Sequence, residues 1–344
     1  MKTVKKYFLT ITSIMLFFSC SKDDNPVAEN PIVINNSTIY AIGNTYSNNK
    51  YTIKLYKNGV VTPITNGTKD AVGRAIFVSG NDVYIGGQEF EDLKYVAKVW
   101  KNGVQIPLTG GFTDACVNGL SVSGNDVYAV GYRNNDTGTA VATMWKNGVA
   151  TALTTGNSNA FANDVFIKGQ DVYISGKALI GNNYAAMLWV NGTPNQLSVT
   201  GKLAEANSVF VNGQDFYVAG YEANNNNVLI GKLWKNGISL PITSGINNSN
   251  LISVKVSEGD VYVSGSESNG TNKVAKLWKN GIPTVLLDGT KNAYAGDIFI
   301  LNKDIFTAGA ENLDLILWKN GTPTKLNSTP DFNSEGVKLF VTQN

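Results

Sequence analysis

The sequence predicts an all-β protein, a seven-bladed β-propeller of four-stranded antiparallel blades that is closed by the C-terminal strand. One observation is a four-residue phrase, an aromatic residue followed by Lys or Val, Asn and Gly, which occurs seven times at intervals of 40–45 residues. A second phrase, Asp-hydrophobic-aromatic, precedes six of the seven copies. A fixed period of this length is typical of repeat architectures and suits a propeller blade. Beyond its N-terminal segment the chain shows no sustained helical period of apolar residues, so we expect no helices.

Each repeat supplies four strand signals in the same order. The first is a β-branched and aromatic run such as residues 75–78, and a tight Ser-Gly-Asn-Asp turn at residues 79–82 joins it to the second. The second strand carries the Asp-Val-Tyr phrase, and the third ends in the recurring aromatic residue. An Asn-Gly dipeptide then leads into the fourth strand. It predicts a two-residue hairpin, because both central residues of such a turn must accept positive φ.

The recurring aromatic residue is interpreted as scaffold, since a residue with a local chemical task need not return in every blade. We expect its ring to pack between neighbouring blades and its N–H, where it is Trp, to find a polar partner. The seven positions include all six tryptophans of the protein: Tyr56, Trp100, Trp145, Trp189, Trp234, Trp278 and Trp318.

Closure is predicted from an incomplete repeat at the C-terminus. Residues 336–341 resemble a first strand with no blade after it, and we expect them to complete the sheet begun by residues 39–66. Residues 32–34 compete for the same place. The propeller is therefore assigned to residues 32–344, and a closed ring removes sheet edges that could pair with other chains.

Residues 1–19 are expected to be a lipoprotein signal peptide. Lys2, Lys5 and Lys6 form a basic start, and residues 7–18 are mostly apolar but too short for a membrane-spanning helix. The end of the segment resembles a bacterial lipobox, with Phe17 where the motif usually has Leu. Cys20 is then the predicted lipid-attachment site, and a lipid bilayer is a predicted partner through the acylated N-terminus. The alternative is an ordinary secretory signal with an incidental Cys.

Residues 20–31 are polar and contain proline, and we expect them to form a flexible, lipid-anchored tether. Ser21, directly after Cys20, resembles lipoproteins sent to the outer membrane. The pair Asp23-Asp24 resembles the surface-export tag of some Gram-negative lipoproteins. The expected location is the cell outer membrane with the propeller exposed at the surface; a propeller facing the periplasm is the alternative.

Composition narrows the chemistry. The chain has 28 basic and 26 acidic residues without a basic cluster, so nucleic acid is not an expected partner. It has no histidine, which excludes His-containing catalytic triads, His-ligated metals and His acid–base catalysis. A phosphate-binding glycine loop and an EF-hand spacing are also missing. We therefore predict no cofactor, no metal site and no catalytic residue, while carboxylate-only chemistry such as glycoside hydrolysis stays open.

Ligand-binding residues are expected on the face opposite the Asn-Gly hairpins, where the connecting loops are longer and vary in sequence. Aligning the repeats places one polar ring just before the first strands and a second ring two residues after the second-strand glycine. The candidate ligand face comprises Arg74, Asn118, Asn163, Asn207 and Glu335 of the first ring and Arg133 and Glu311 of the second. The alternative for the first ring is a set of solvated residues around a water-filled channel.

Three other glutamates of the second ring have a structural explanation. Their repeats carry a Lys two residues before the Trp, whereas the repeats with Arg133 and Ala178 have Thr143 and Met187 there. This co-occurrence predicts cross-strand ion pairs. The pairs are Glu89 with Lys98, Glu222 with Lys232 and Glu267 with Lys276.

The Trp-Lys-Asn-Gly and Asp-Val-Tyr phrases resemble repeats of uncharacterised extracellular bacterial β-propeller lipoproteins. The resemblance spans residues 32–344 and implies the architecture, with no activity and no catalytic residues to carry over. The predicted function is a membrane-anchored surface or periplasmic binding module with a glycan or protein ligand on its loop face. Two alternatives stay open: a glycosidase or polysaccharide lyase using Glu335 with a ring glutamate, and a purely structural docking ring.

Overall fold

The computed structural model describes residues 37–326 and 332–343, and these fold into seven four-stranded antiparallel sheets without a helix. The predicted seven-bladed, all-β propeller is confirmed. Within the described ranges, no helix could span a membrane. The predicted signal peptide, Cys20, the tether and residues 32–34 lie outside the described residues.

The strands follow the predicted order of four per blade. The first three blades are built from β1 (Ser37–Ser47), β2 (Lys50–Lys57), β3 (Val60–Pro63), β4 (Ala71–Ser79), β5 (Asp82–Glu91), β6 (Lys94–Lys101), β7 (Val104–Pro107), β8 (Ala115–Ser123), β9 (Asp126–Asn134), β10 (Ala140–Lys146) and β11 (Val149–Ala152). Blades 4 and 5 contain β12 (Ala160–Lys168), β13 (Asp171–Ile180), β14 (Asn183–Val190), β15 (Thr193–Gln196), β16 (Ala204–Asn212), β17 (Asp215–Ala223), β18 (Leu229–Lys235) and β19 (Ile238–Pro241). Blades 6 and 7 contain β20 (Ser249–Ser257), β21 (Asp260–Ser268), β22 (Lys273–Lys279), β23 (Ile282–Val285), β24 (Ala293–Leu301), β25 (Asp304–Glu311), β26 (Asp314–Lys319) and β27 (Thr322–Lys325), and β28 (Phe332–Gln343) completes blade 1.

The C-terminal strand closes the ring. β28 pairs antiparallel with β1, from Ser37 opposite Gln343 to Ile42 opposite Lys338. It thereby takes the innermost place in blade 1, the place that β4, β8, β12, β16, β20 and β24 hold in the other blades. These seven inner strands neighbour one another around a central channel.

The recurring tryptophans lie on the third strands and are buried between blades, as predicted. Trp145, for example, packs in a cluster that joins Ala97 and Val99 of blade 2 to Val117 and Leu120 of blade 3. The expectation of a polar partner for the indole was wrong for four of them, because the blade surface that each ring meets is apolar. Among the described residues no hydrogen-bond partner is found for Nε1 of Trp145, Trp189, Trp234 and Trp318.

The Asn-Gly turns have the predicted geometry. In blade 2, Asn102 has φ of 50° and Gly103 has φ of 81°, and the other six copies are alike. The Asn102 side chain accepts a hydrogen bond from the Val83 N–H at 2.8 Å and donates one to Asp82 at 2.8 Å. Lys101 pairs with the same carboxylate at 2.7 Å. The two recurring phrases therefore meet on one face of the propeller, here called the plain face. Their contacts with each other give both phrases a structural role.

Candidate ligand-binding site

The first predicted ring lies inside the inner strands, and its placement before them was wrong. In each of β8, β12 and β16 the pairing register with the second strand shifts at one residue. That residue is the ring asparagine, so Asn118, Asn163 and Asn207 each occupy a β-bulge. Arg74 occupies the corresponding bulge in β4. A bulge bends its strand and re-aims a side chain, and these side chains line the channel mouth on the loop face.

A glycine on the second strand makes each bulge possible. An added Cβ at Gly131 would lie 1.9 Å from the carbonyl oxygen of Cys116, and one at Gly220 would lie 1.9 Å from that of Glu205. Real atoms cannot approach so closely, and the neighbouring atom is backbone that cannot rotate away. The second-strand glycine is thus a requirement of the bulge beside it.

The three asparagines of the first ring tie neighbouring blades together. Asn118 Nδ2 donates to the Ala162 carbonyl at 2.9 Å, and Asn207 Nδ2 donates to the Leu251 carbonyl at 2.7 Å. Asn163 Nδ2 donates to the Ala206 carbonyl at 3.0 Å and to Glu205 Oε1 at 2.9 Å. Each accepting carbonyl directly precedes the bulge residue of the next blade. These amides therefore have a structural task at the edge of the candidate site.

The channel mouth opens into a cavity of about 1090 Å³ on the loop face. Arg74 and the three asparagines line it, whereas Arg133 and Glu311 are not among its described lining residues. Arg133 lies in a separate depression of about 480 Å³ between blade 3 and the loop that connects blade 2 to it. Glu311 is 3.3 Å from Lys291 in an ion pair. Glu335 lies in the irregularly paired part of β28, and its side chain is outside the described residues.

The three predicted glutamate–lysine pairs are confirmed. Lys276 Nζ lies 2.7 Å from Glu267, and Lys232 Nζ lies 3.9 Å from Glu222. The third pair joins Glu89 to Lys98, whose ammonium is almost fully buried. Each of these glutamates forms an ion pair with the adjacent strand of its own blade, which gives it a structural role.

Two charged residues that the sequence analysis did not single out, Lys177 and Glu205, lie among aromatic side chains in the cavity wall. Lys177 Nζ lies 2.9 Å from Glu205 Oε2, which also accepts a hydrogen bond from the Tyr221 hydroxyl at 3.1 Å. The same ammonium lies 5.5 Å from the ring centroid of Phe161 and 5.2 Å from that of Tyr184. We call these five residues the blade 4–5 cluster.

The signal for this cluster was present as a break in the repeat. Glu205 is the second residue of its inner strand, where two other blades have Val72 and Cys116. Lys177 directly follows the second-strand glycine, where the neighbouring blades have Tyr132 and Tyr221. Two opposite charges replaced uncharged residues at positions that face each other across a blade boundary.

Burial keeps three titratable side chains of the cavity, Tyr132, Cys116 and Tyr221, uncharged near neutral pH. Burial raises the pKa of Tyr132 to about 12, and it raises the pKa of Cys116 to about 11 against the opposing effect of Arg74. Burial and the Glu205 carboxylate raise the pKa of Tyr221 as well. The two phenols are therefore hydroxyl groups near neutral pH. The Cys116 thiol is buried and is protonated there too.

The cavity lining combines aromatic with amide and hydroxyl side chains. Phe161, Tyr132 and Tyr221 line it in blades 3–5. Amide and hydroxyl side chains line it in the adjacent blade 6 and its flanking loops, among them Asn248, Asn250, Ser266, Ser268 and Asn272. Such a site can stack an apolar surface on the aromatic rings and hydrogen-bond hydroxyls to the amides. In the described part of the chain, no group of three or more His, Cys, Asp or Glu side chains could hold a metal ion.

Neither a protein-family model nor a curated protein matches this chain. Solved structures do. The propeller domain of the Trilobed protease from Pyrococcus furiosus is 12% identical with a TM-score of 0.53, and the match covers 84% of this chain and 94% of that one. A prolyl endopeptidase chain is 14% identical with a TM-score of 0.50, and the match covers 89% of this chain and 50% of that one. TolB from Acinetobacter baumannii is 10% identical with a TM-score of 0.47, and the match covers 72% of this chain and 64% of the TolB chain. At 12% and 14% identity, the likeness to the first two structures shows the propeller fold.

Proposed function

We propose that this protein is a binding module that takes its ligand in the loop-face cavity of the propeller. The observation that carries the proposal is the composition of that cavity. Much of its lining differs from blade to blade, on a scaffold whose conspicuous residues recur in six or seven of the blades. Variable side chains on a rigid frame are typical of recognition surfaces.

The ligand that fits the walls best is a glycan. A sugar ring presents an apolar face to an aromatic side chain such as Phe161 or Tyr221, and its hydroxyls suit the amides beside these rings. A volume of about 1090 Å³ accommodates several sugar units. A protein segment is the second possible ligand, and the experiment below distinguishes the two.

The number of carboxylates in the described cavity lining and their hydrogen bonding favour binding over catalysis. A glycosidase needs two carboxyl groups facing one bond of the substrate. Among the described cavity residues the carboxylate is Glu205, and its oxygens already receive hydrogen bonds from Lys177, Asn163 and Tyr221. Release of reducing sugar or of an unsaturated product from pooled polysaccharides would reverse this preference.

The anchor is part of the proposal. The N-terminal sequence supports lipidation of Cys20, a tether of residues 20–31 and display on the outer membrane. Detergent phase partitioning of the full chain tests it: the protein should enter the detergent phase, and Cys20→Ser should move it to the aqueous phase. Protease treatment of intact cells then reports whether the propeller faces outward.

The ligand is tested on glycan and protein arrays with three variants. Phe161→Ala and Tyr221→Ala remove aromatic surface from the cavity, and Phe112→Ala is the matched control because this ring is on the loop face but 91% exposed outside the cavity. We expect glycan signals that fall at least tenfold in the first two variants and persist in the control. Hits on the protein array alone would replace the glycan with a protein ligand. Silence on both arrays, or equal loss in the control, would contradict the cavity as the site.

A further inference from the structure

A second cavity lies deeper in the channel, toward the plain face, with a volume of about 380 Å³. One position of the inner strand, three residues after the bulge in blades 2–7, supplies its central ring. Around the seven blades the ring contains Phe77, Ser121, Phe166, Phe210, Lys255, Phe299 and Phe340. Five blades thus contribute Phe, and two do not.

The phenylalanines form two walls. Phe340 lies 4.8 Å from Phe77 and 4.8 Å from Phe299, measured between ring centroids. Phe166 and Phe210 form the second wall, with centroids 4.9 Å apart. Ser121 stands at one gap between the walls and Lys255 at the other. All five rings are only half-buried, so apolar surface faces the space between them.

Lys255 is the charged residue of this ring, and its ammonium is the group that a ligand in the cavity can contact. Its ammonium lies 5.5 Å from the Phe210 ring centroid and forms no salt bridge within the described part of the chain. The two carboxylates of the cavity wall are already engaged. Asp164 accepts hydrogen bonds from the Ser208 hydroxyl and the backbone N–H of Val209, at 2.9 and 3.2 Å.

The second carboxylate is held in the same way and has its own counter-charge. Asp297 accepts hydrogen bonds from the Ser253 hydroxyl at 2.8 Å and from the Leu339 N–H at 3.3 Å. Lys338 also lines the cavity and, with Lys255, provides positive charge near Asp297. Both carboxylates point into blade boundaries, so neither is available to a ligand in the middle of the channel.

We propose that this cavity is a second binding site and that it takes a small aromatic carboxylate. A planar apolar ring fits between the two phenylalanine walls, where offset or edge contacts between rings are favourable. Its carboxylate meets the Lys255 ammonium in a charge-assisted hydrogen bond. A volume of about 380 Å³ is at the lower end of the range of small-molecule sites and suits one ring with a short substituent. The proposal is independent of the glycan site.

The test is calorimetric titration of the full chain with 3-phenylpropionate, its neutral amide and phenethylammonium as probes. We expect the carboxylate to bind at least tenfold more tightly than the other two. Lys255→Met should reduce its affinity at least tenfold, and Lys255→Arg should retain most of it. Lys168→Met is the matched control, because Lys168 is an exposed lysine at the plain-face end of β12.

A second variant fills the site without removing the charge. Ser121→Phe places a sixth aromatic ring in the gap, and we expect it to abolish binding while the thermal melting temperature stays within a few degrees of the parent. Phe161→Ala, in the loop-face cavity, should leave the affinity unchanged. The absence of binding at millimolar probe, equal affinity for the neutral amide, or a preference for the ammonium probe would overturn the proposal. If no probe binds, the ring is a packed plug of the channel.

Discussion

At the scale of single residues, recurrence separates scaffold from site. Lys101 occurs in a copy of the repeated phrase and pairs with Asp82 at 2.7 Å. Hydrogen bonding between them raises the pKa of Lys101 and lowers that of Asp82, but both side chains are about two-fifths exposed and solvent screens the pair. Lys177 occurs once at its position and contacts Glu205 inside the cavity. The same residue type is thus a turn component in one place and part of the cavity wall in the other.

The charge of Lys177 can be removed with little loss of volume. Lys177→Met keeps apolar contact with Phe161 and Tyr184 but leaves the Glu205 carboxylate with only its bonds from Asn163 and Tyr221. Since the pair is largely buried, we expect the free energy of unfolding to fall by about 1–3 kcal/mol, measured by urea denaturation. The double variant with Glu205→Gln should recover most of this loss, because no unpaired charge remains. An equal or larger loss in the double variant would contradict the pairing.

At the scale of elements, the sequence predicted what local chemistry determines and missed what depends on register. The four strands, the Asn-Gly turns and the buried third-strand tryptophans followed from residues close together in the chain. The bulges did not, because a bulge is a relation between two strands, and Asn118 only acquires its role when it meets the carbonyl of Ala162 in the next blade. The placement of the ring before the strand was wrong for this reason. The sequence shows a second-strand glycine in every repeat. It does not show why glycine is needed there, which is the close approach of the neighbouring backbone.

Two glycines of blade 5 test this relation. Gly220→Ala would place its Cβ 1.9 Å from the Glu205 carbonyl oxygen, whereas at Gly231 the nearest atoms, at 2.9–3.1 Å, belong to the side chains of Leu251 and Thr243. Backbone in a paired strand cannot move aside, while side chains can. We expect Gly220→Ala to cost about 4 kcal/mol or more, or to prevent folding, and Gly231→Ala to cost about 1–3 kcal/mol. Soluble yield and thermal melting distinguish them, and similar effects would contradict the role assigned to the bulge.

At the scale of the whole molecule, stability depends on the boundary where the chain closes on itself. Asp297 of blade 7 receives hydrogen bonds from Ser253 of blade 6 and from the Leu339 N–H of the closing strand. The sequence predicted closure by the C-terminal strand, because an unfinished repeat at one end matches a missing strand at the other. It did not point to Asp297, since the homologous positions in other blades are as different as Ala75, Gly119 and Lys338.

The carboxylate of Asp297 predicts a specific acid sensitivity. Burial raises its pKa, but the charges of Lys338 and Lys255 and the hydrogen bonds from Ser253 and Leu339 outweigh that effect, so the pKa lies below the ordinary aspartate value. A lowered pKa in the folded state means that the carboxylate stabilises the fold above the unfolded-state pKa, and that this contribution is lost as the pH falls through the folded-state pKa. Asp297→Asn should lower the melting temperature at pH 7 and flatten its dependence on pH below about 4. Asp136→Asn, an exposed site, should do neither; a parallel shift of the whole curve in Asp297→Asn would contradict the assignment.

Closure itself can be tested by making it covalent. Thr38 of β1 and Thr342 of β28 are directly opposite in the antiparallel pair, where the Cα separation is about 4.5–5.5 Å and suits a disulfide. We expect Thr38→Cys/Thr342→Cys to form a disulfide in a background with Cys20→Ser and Cys116→Ser. The bond would close a loop of nearly the whole propeller, so the entropy lost by the unfolded chain should raise the free energy of unfolding by about 3–5 kcal/mol. Dithiothreitol should return the melting temperature to that of the parent. If the disulfide forms but the oxidised and reduced proteins melt together, strain in the closed pair cancels the entropic gain, and the register of Thr38 opposite Thr342 would be contradicted.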